Sequence, residues 1–310
     1  MKKSGIVVVG SSNTDLIVRV PRLPRPGETV LGDDFVTAGG GKGANQAVAA
    51  RRLGAPVTFV ARLGKDVFGE ASLARFDAEG INTHDIGRDD EAPSGVALIY
   101  VGEGGENMIA VAPGANARLS VDDVRRAQPA IARSQALIVQ LEIPLATVRE
   151  GLSLARAAGA RTILNPAPAP AAPLPDDLYP LVDILNPNRS EAEVLSGLSV
   201  SDFSSAERAG RALLERGVGA VVITLGRQGA LVVSPLGSQA IPAYPVRAID
   251  TVGAGDAFTA GLAVALASGA SLTDAARYGN AVAALATTRS GAQPSLPTQT
   301  EVQAFLDASR

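Results

Sequence analysis

The stretch ALIVQLEIPLATVREGLSLARAAGARTILN, which spans Ala136–Asn165, contains one complete strand–helix–strand pattern. Its apolar run at Ala136–Leu141 predicts a buried strand, and Arg161–Asn165 predicts a second one. Between them, Pro144–Ala158 predicts a helix. Two strands joined by a crossover helix pair in parallel, with a right-handed connection. The stretch therefore predicts an α/β fold with a parallel sheet.

The same alternation recurs on both sides of this unit. Further strands are predicted at Ile6–Gly10, Val57–Leu63, Val182–Asn186, Ala220–Leu225, Ala230–Ser234 and Gln239–Ala243. Further helices are predicted at Ala44–Leu53, Gly69–Glu79, Ser120–Ser134, Ser205–Arg216, Ala257–Ser268 and Thr273–Thr288, of which the last two close the chain. The proline-rich stretch Asn165–Pro175 predicts a surface loop. We therefore expect residues 1–310 to form one three-layer α/β/α domain around a mostly parallel sheet.

Two regions interrupt this alternation, because their strands have no helix between them. They are Leu16–Phe35 and Val96–Val111. The second contains two strand patterns, Val96–Tyr100 and Asn107–Val111, separated by a glycine-rich turn at Gly102–Gly105. We expect these regions, about 16–36 and 94–112, to form a small β-sheet appendage on the main sheet.

The composition excludes several kinds of chemistry. The 310 residues include no cysteine and one histidine, His84, so disulfides, thiolate zinc sites and multi-histidine metal sites are excluded. The net charge of −3 and the 4% aromatic content offer nucleic acid neither a basic field nor a stacking surface. We expect no nucleic-acid or membrane partner, and a surface-loop position for His84. The N-terminal apolar run is too short for a signal peptide, so we expect a cytoplasmic protein.

The segment DTVGAGDAF, Asp250–Phe258, combines a glycine-rich turn with the start of an apolar helix. Backbone amides at Gly253–Gly255 and the helix dipole would form an anion hole without a lysine. Asp256, at the helix start, would accept a proton from a substrate hydroxyl while the amides hold a transferring phosphoryl group. In the alternative interpretation, the glycines form a tight turn and Asp256 caps the helix. Spacing alone does not decide between the two.

Short polar residues follow several predicted strands at one edge of the sheet, where parallel sheets bind ligands. Asn13 and Asp15 follow the first strand, and GGGKGANQ at Gly39–Gln46 adds further polar groups. The remaining strand-end residues are Glu142, Asn188, Glu191, Thr224, Gly226 and Gly229. Each one alone is typical of a turn, but their recurrence indicates a site, and the side chains suit a polyol. GGGKGA matches the dinucleotide-binding pattern loosely and lacks its acidic partner.

Two motifs, GGGKGANQAVAA at Gly39–Ala50 and DTVGAGDAF at Asp250–Phe258, resemble those of the ribokinase-like (pfkB) carbohydrate kinases in order and separation. Shorter stretches extend the resemblance over essentially the whole chain, among them GSSNTD at Gly10–Asp15 and NPAP at Asn165–Pro168. The resemblance implies ATP-dependent phosphorylation of the 5-hydroxyl of D-ribose, supported by Mg²⁺ and by a monovalent cation, K⁺. It also implies that the β-sheet appendage is a lid, through which two copies form a homodimer.

The resemblance further implies a role for each matching residue. Asp256 would be the general base, with Gly253, Ala254 and Gly255 as the anion hole. The sugar would be held by Asn13, Asp15, Gly41, Lys42, Asn45, Glu142 and Asp256. The nucleotide would contact Asn188, Thr224, Gly226, Gly229, Gly255 and Asn280, and Glu191 would organise Mg²⁺ through water. The monovalent cation would be bound by Asp250, Val252, Ala286, Arg289, Gly291 and Ser295.

Three alternatives to D-ribose phosphorylation follow from the same residues. Within sugar kinases, 2-deoxyribose or another pentose or ketose is the alternative substrate, because a single hydroxyl separates the candidates. From other classes, the alternatives are a non-catalytic sugar sensor of the same fold and an NAD(P)-linked oxidoreductase. A phosphorylated sugar is disfavoured, since Lys42 is the one cation among the residues expected to hold the sugar.

Overall fold

The structure is a computed structural model that describes residues 3–104 and 106–309; Gly105, in the predicted hairpin turn, lies outside these residues. The strands are β1 (Ile6–Val9), β2 (Asn13–Val20), β3 (Asp34–Gly40), β4 (Val57–Gly64), β5 (Ile86–Asp89), β6 (Gly95–Gly102), β7 (Asn107–Ala112), β8 (Ala136–Val139), β9 (Arg161–Leu164), β10 (Ile184–Leu185), β11 (Ala220–Thr224), β12 (Ala230–Ser234) and β13 (Gly237–Ile241). The helices are α1 (Lys42–Arg52), α2 (Val67–Ala78), α3 (Val121–Arg126), α4 (Gln128–Arg133), α5 (Leu145–Ala157), α6 (Arg189–Ser196), α7 (Phe203–Glu215), α8 (Ala254–Ala267), α9 (Leu272–Ala286) and α10 (Gln299–Ala308).

The main sheet has nine strands in the order β13-β12-β11-β10-β9-β8-β1-β4-β5. Its pairs are parallel except for those of β12, which runs antiparallel to β11 and β13. The quoted stretch forms β8, α5 and β9, and its two strands pair in parallel as predicted. The predicted α/β fold with a mostly parallel sheet is confirmed.

Helices cover both faces of the main sheet because successive strand residues point to opposite sides. In β1, Ile6 and Val8 pack in the core that contains Leu262 of α8. Val7 and Val9 pack in the opposite core, which contains Leu152 of α5. All four β1 side chains are buried, which explains why these strands read as uninterrupted apolar runs.

A second, four-stranded sheet rises from the carboxyl end of β1, with the order β3-β2-β6-β7. The strand β2 is parallel to β6 and antiparallel to β3, and β6 and β7 form the predicted antiparallel hairpin. Only residues 10–12 separate β1 from β2, and α1 begins two residues after β3 ends at Gly40. The four-stranded sheet is therefore fixed directly above one end of the main sheet.

The structure corrects several predicted elements. The single helix predicted at Ser120–Ser134 is two helices, α3 and α4, because Pro129 has no N–H to continue the helical hydrogen bonds. A third helix, α10, follows the two that were expected to close the chain, and α6 and β5 were not predicted.

The loop predicted at Asn165–Pro175 is not entirely on the surface, since residues 165–167 are buried. Among the described residues, none of the helices is both long and apolar enough to cross a membrane.

Candidate active site

The candidate site is a pocket at the carboxyl ends of the central strands, where α8 begins. Predicted residues that line it are Lys42, Asn188, Glu191, Thr224, Gly253, Gly255 and Asp256. Residues without a predicted role also line it, namely Asn165, Ala167, Asn186 and Thr251. The pocket therefore joins the two motifs, which are about two hundred residues apart in sequence, at one edge of the sheet.

Asp256 lies in the first turn of α8 and is 6% exposed. Each carboxylate oxygen accepts one side-chain amide: Asn45 Nδ2 donates to Oδ2 and Gln46 Nε2 donates to Oδ1, both at 2.9 Å. Burial raises the pKa of Asp256, while Lys42 and the two amides lower it and Glu142 raises it further. The carboxylate is therefore held in one orientation in a pocket that excludes most water.

Glycine is required at the start of α8 by the backbone itself. Gly253 precedes the helix with φ of 78°, a left-handed conformation that a side chain rarely adopts. A Cβ on Gly253 would also lie 3.2 Å from Ala292 Cα. The N–H of Ala254, one of the three predicted anion-hole amides, already donates to Thr251 O at 3.2 Å. Gly253 and Gly255 line the pocket.

Lys42 interacts electrostatically with three carboxylates around the pocket. Burial alone would lower the pKa of Lys42, but Asp256, Glu142 and Glu191 together raise it. The ammonium therefore stays protonated among three carboxylates. Its charge offsets theirs and is available to an anionic substrate group.

The predicted sugar residues lie on three elements: Asn13 and Asp15 on β2 of the four-stranded sheet, Asn45 on α1, and Glu142 in the loop after β8. Asn13 Oδ1 accepts a hydrogen bond from Asn116 Nδ2 at 2.7 Å. Burial raises the pKa of Asp15 to about 6, Glu142 adds to the rise, and Arg75 opposes it. Glu142 Oε2 accepts from Ser11 Oγ and from the backbone N–H of Lys42.

Two further features concern Asn45 and Gly41 of this set. The buried Oδ1 of Asn45 has no hydrogen-bond partner within the described chain. At Gly41, with φ of 86°, a Cβ would lie 2.7 Å from the backbone N of Asn13, so glycine permits α1 to approach β2.

The predicted nucleotide residues are distributed over three elements. Asn188 and Glu191 form a capping box at the start of α6, in which Glu191 Oε2 accepts the Asn188 N–H at 2.8 Å. Thr224 ends β11, and its backbone N–H is bonded to Pro187 O. Gly226 and Gly229 flank the turn that follows, both with positive φ.

Asn280 lies outside the pocket. Its Nδ2 donates to Ile241 O and Pro242 O at 3.2 and 3.1 Å, which holds the end of β13 against α9.

The predicted cation ligands lie on the loop before α8 and on the segment that runs from Ala286, the last residue of α9, to the short 3-10 turn that ends at Ser295. The Asp250 carboxylate accepts from the Val252 N–H at 3.0 Å and from the Gly291 N–H at 2.8 Å. The Arg289 N–H donates to Ala286 O at 3.4 Å. Ser295 Oγ donates to Ala292 O at 2.8 Å. In the described part of the chain, no cluster of three or more His, Cys, Asp or Glu side chains could hold a metal ion.

Sequence reasoning assigned no role to Gln46, Gln140, Asn165 or Asn186, which the structure connects to Asp256 by hydrogen bonds. Gln46 lies within the quoted GGGKGANQ motif, and the others stand at or near the ends of predicted strands. That strand-end position was the available signal. His84 is exposed, as expected.

Comparison with known proteins extends the similarity well beyond the motifs. A sequence profile described as pfkB family carbohydrate kinase matches residues 3–299. The ribokinase of Haemophilus influenzae is 43% identical over 307 residues, covering 99% of each chain. The deoxyribokinase of Salmonella typhimurium is 34% identical over 301 residues, covering 97% of this chain and 98% of the relative. A crystal structure of Arabidopsis thaliana ribokinase complexed with ribose and ATP matches with a TM-score of 0.91 and 32% identity, covering 99% of each chain.

Proposed function

This chain belongs to the pfkB family of carbohydrate kinases, and on that basis we propose that it transfers the γ-phosphoryl group of ATP to the 5-hydroxyl of D-ribose. The observation that carries the proposal is the placement of Asp256. Its buried carboxylate is oriented by Asn45 and Gln46 in a pocket that Lys42 and two glycines of the α8 start also line. Ribose is favoured over deoxyribose because the ribokinase relative is 43% identical and the deoxyribokinase 34%.

The reaction needs one proton transfer and one phosphoryl transfer. Asp256 accepts the proton of the 5-hydroxyl as the hydroxyl oxygen bonds to the γ-phosphorus. The bond between the γ-phosphorus and the β–γ bridging oxygen breaks, and ADP leaves with that electron pair. Lys42 and the backbone amides of Gly253 and Gly255 stabilise the charge on the transferring group, whereas the Ala254 N–H is held by Thr251 O. The positive end of the α8 dipole acts in the same direction.

The sugar is bound by neutral and acidic side chains, which suits an uncharged polyol. Asn13, Asp15, Asn45 and Glu142 supply carbonyl and carboxylate oxygens that accept from sugar hydroxyls. The orphaned Oδ1 of Asn45 supports this assignment, because a buried acceptor without a partner costs stability until a ligand donor reaches it. Gly41, Lys42 and Asp256 complete this set.

ATP is bound by Asn188, Thr224, Gly226 and Gly229 at and after the ends of β10 and β11, by Gly255 of α8, and by Asn280 of α9 beside the end of β13. Glu191 suits Mg²⁺ held through water, since its carboxylate already accepts from the backbone and side chain of Asn188. Mg²⁺ usually keeps several of its waters, so a buried carboxylate of this kind fits it. When bound, Mg²⁺ would neutralise phosphate charge.

A monovalent cation, K⁺, would occupy the loops beside the α8 start. The bonds from Val252 and Gly291 to the Asp250 carboxylate bring three of the six proposed ligands together. Ala286, Arg289 and Ser295 complete the set. Backbone carbonyl oxygens suit such an ion, which would hold the loop that presents the anion hole.

The four-stranded sheet acts as a lid over the sugar and as the surface of a homodimer. Its cover over the pocket would exclude water, which otherwise competes with ribose for the phosphoryl group. Use of ATP as the donor favours a cytoplasmic location.

The decisive experiment is a sugar panel with ATP, Mg²⁺ and K⁺. We expect kcat/KM for D-ribose to exceed the values for 2-deoxyribose, fructose and a nucleoside, with ribose 5-phosphate as the product. A higher kcat/KM for 2-deoxyribose would identify 2-deoxyribose, and not D-ribose, as the substrate. ATP consumption by the wild type that does not rise when any of the sugars is added would exclude a sugar kinase. Comparison of K⁺ with a large organic cation tests the cation site, where equal rates would exclude activation.

A further inference from the structure

The buried amides beside Asp256 form a connected ladder across the carboxyl ends of three neighbouring strands. Gln140, Asn165 and Asn186 are the residues directly after β8, β9 and β10. Each is at most 6% exposed. Gln46 of α1 is fully buried and joins this ladder to Asp256.

The direction of each hydrogen bond follows from Asp256, because an ionised carboxylate can only accept. Gln46 Nε2 therefore faces Asp256, donating to Oδ1 at 2.9 Å, and it also donates to Asn165 Oδ1 at 3.0 Å. The Oε1 of Gln46 is left to accept, and it does so from Gln140 Nε2 at 2.6 Å. If the Gln46 amide were turned over, its Oε1 would face two acceptors, Asp256 Oδ1 and Asn165 Oδ1, and its Nε2 would face the donor Gln140 Nε2. The three contacts therefore enforce one orientation of this amide.

The ladder also returns to the helix that carries Asp256. Asn165 Nδ2 donates to Asn186 O at 2.9 Å. Asn186 Oδ1 accepts from Thr259 Oγ1 at 2.8 Å, and Thr259 lies on α8 one turn after Asp256. The N-terminal part of α8 is thus held at two points, Asp256 through Gln46 and Thr259 through Asn186.

We infer that Gln46 is a positioning residue for phosphoryl transfer: held by Gln140, it presents its Nε2 to Asp256 and so fixes the direction and the ionised form of the carboxylate that receives the substrate proton. The inference rests on the proposed function. Gln46 acts through Asp256 alone, and the residues proposed to contact sugar or nucleotide do not include it.

Four charged side chains also act on Asp256, in addition to the neutral amide of Gln46. They are Lys42 from α1, Glu142 from the loop after β8, Glu191 from α6 and Asp15 from β2. Burial raises the pKa of Asp256, Lys42 opposes the rise, and the hydrogen bonds from Asn45 and Gln46 oppose it further. Removal of the Gln46 donor leaves the charged groups unchanged and takes away one of the influences that keep the carboxylate ionised.

The test is the pH profile of Gln46→Met, which keeps the length of the side chain and removes its donor. We expect the acid limb of kcat/KM for ribose, measured from about pH 5 to about pH 9, to move to higher pH by about one to two units. KM for ATP should stay within about twofold, because Gln46 does not contact the nucleotide. Gln140→Met, which frees the Gln46 amide without removing it, should move the limb in the same direction by less.

The matched control is Gln135→Met. Gln135 is another glutamine, partly buried, whose Nε2 donates to Ala267 O at the opposite end of the sheet. The Gln135→Met variant should have the acid limb of kcat/KM for ribose at the same pH as the wild type. The inference is overturned if Gln46→Met loses activity equally at every pH, as a purely structural residue would. Should Gln46→Met fail to fold, an unchanged limb in Gln140→Met overturns it. Wild-type protein without ribose phosphorylation would instead overturn the proposed function.

Discussion

Asp256 combines two properties that oppose each other, a buried position and an ionised carboxylate. Burial raises its pKa, and Lys42, Asn45 and Gln46 partly reverse that rise. A general base works best when its pKa lies near the working pH. In the proposed reaction, burial would bring the pKa of Asp256 toward the working pH, while Lys42, Asn45 and Gln46 favour the ionised form that accepts the hydroxyl proton.

We predict that Asp256→Asn folds normally and loses about 10²–10⁴-fold in kcat. The new amide would meet the Asn45 Nδ2 donor, but Asn45 can turn over and accept with its unpartnered Oδ1, so the fold is kept. Steady-state kinetics and thermal unfolding measure the two effects. The control is Asp122→Asn, an exposed change on α3 that should leave kcat unchanged. Wild-type turnover in Asp256→Asn would remove the assignment of the base.

The raised pKa of Asp15 predicts that the free energy of unfolding depends on pH. Its pKa is raised from 3.8 to about 6 by burial, with Glu142 adding to the rise. A raised pKa means that the neutral form stabilises the fold below the unfolded pKa, and that this stability is lost as pH rises through the folded pKa. Asp15→Asn should therefore raise the free energy of unfolding relative to wild type more at about pH 8 than at about pH 4, by about 3 kcal/mol at most.

Asp15→Asn should also raise KM for ribose by roughly 10–100-fold, because the charged acceptor for sugar hydroxyls is lost. Denaturant unfolding at the two pH values and initial-rate kinetics measure both effects. Asp33→Asn, an exposed change beside the same sheet, is the control and should alter neither quantity. A stability difference that does not vary with pH would show that Asp15 is not the group responsible.

At the scale of elements, the start of α8 depends on one backbone conformation. Gly253 has φ of 78°, and a Cβ would approach Ala292 Cα to 3.2 Å. We predict that Gly253→Ala loses roughly 1–2 kcal/mol of stability and at least about tenfold in kcat, because the anion-hole amides shift with the helix start.

Gly197→Ala is a matched control for this change. Gly197 ends α6 with φ of 72°, and its Cβ would meet nothing within 4 Å. It should lose a similar amount of stability through its backbone and keep full activity. Equal activity losses in the two variants, measured with ribose and ATP, would contradict a local role for Gly253.

Elements with a strong pattern could be predicted from the sequence, and those with a weak one could not. Buried strands such as β1 and β8 read as apolar runs because both faces are covered. The helix α10 was not predicted, although Val302, Phe305 and Leu306 stand at helical spacing and Thr298 and Glu301 form a capping box before them. At α6, the Asn188–Glu191 spacing was interpreted as a ligand signal, and it is also a capping box that starts a helix.

Site residues that lie within one local motif could be predicted from the sequence. Those that come together only through the order of the strands in the sheet could not. Asp256 and Gly253 lie in one glycine-rich segment whose chemistry follows from neighbours in sequence. Gln140, Asn165 and Asn186 become neighbours only because β8, β9 and β10 are adjacent in the sheet. A single sequence does not contain that order, so their common ladder emerges only in three dimensions.

For the whole molecule, the four-stranded sheet has two different faces. Register places Phe35, Val18, Tyr100 and Met108 in one row across its four strands, with Leu98 two residues from Tyr100 on the same face. Asp15, three residues before Val18 on β2, lies on the opposite face, toward the sugar. Exposed apolar side chains stand on both faces: Phe35 (60% exposed), Met108 (49%) and Leu98 (45%) on the first, and Val36, Ile109 and Val111 on the face of Asp15. A cluster of exposed apolar side chains of this kind marks an interaction surface.

We predict that this outer face forms the homodimer interface and that Leu98→Lys disrupts it. A charge placed among apolar side chains that are buried between two copies would be desolvated without a partner, so dimers should become monomers. Light scattering after size-exclusion chromatography measures the mass at about micromolar protein. Leu236→Lys is the control, because Leu236 is fully exposed on the turn between β12 and β13. If Leu98→Lys stays a dimer while Leu236→Lys becomes a monomer, the interface lies on the main sheet and not on the lid; a monomeric wild type would exclude the homodimer.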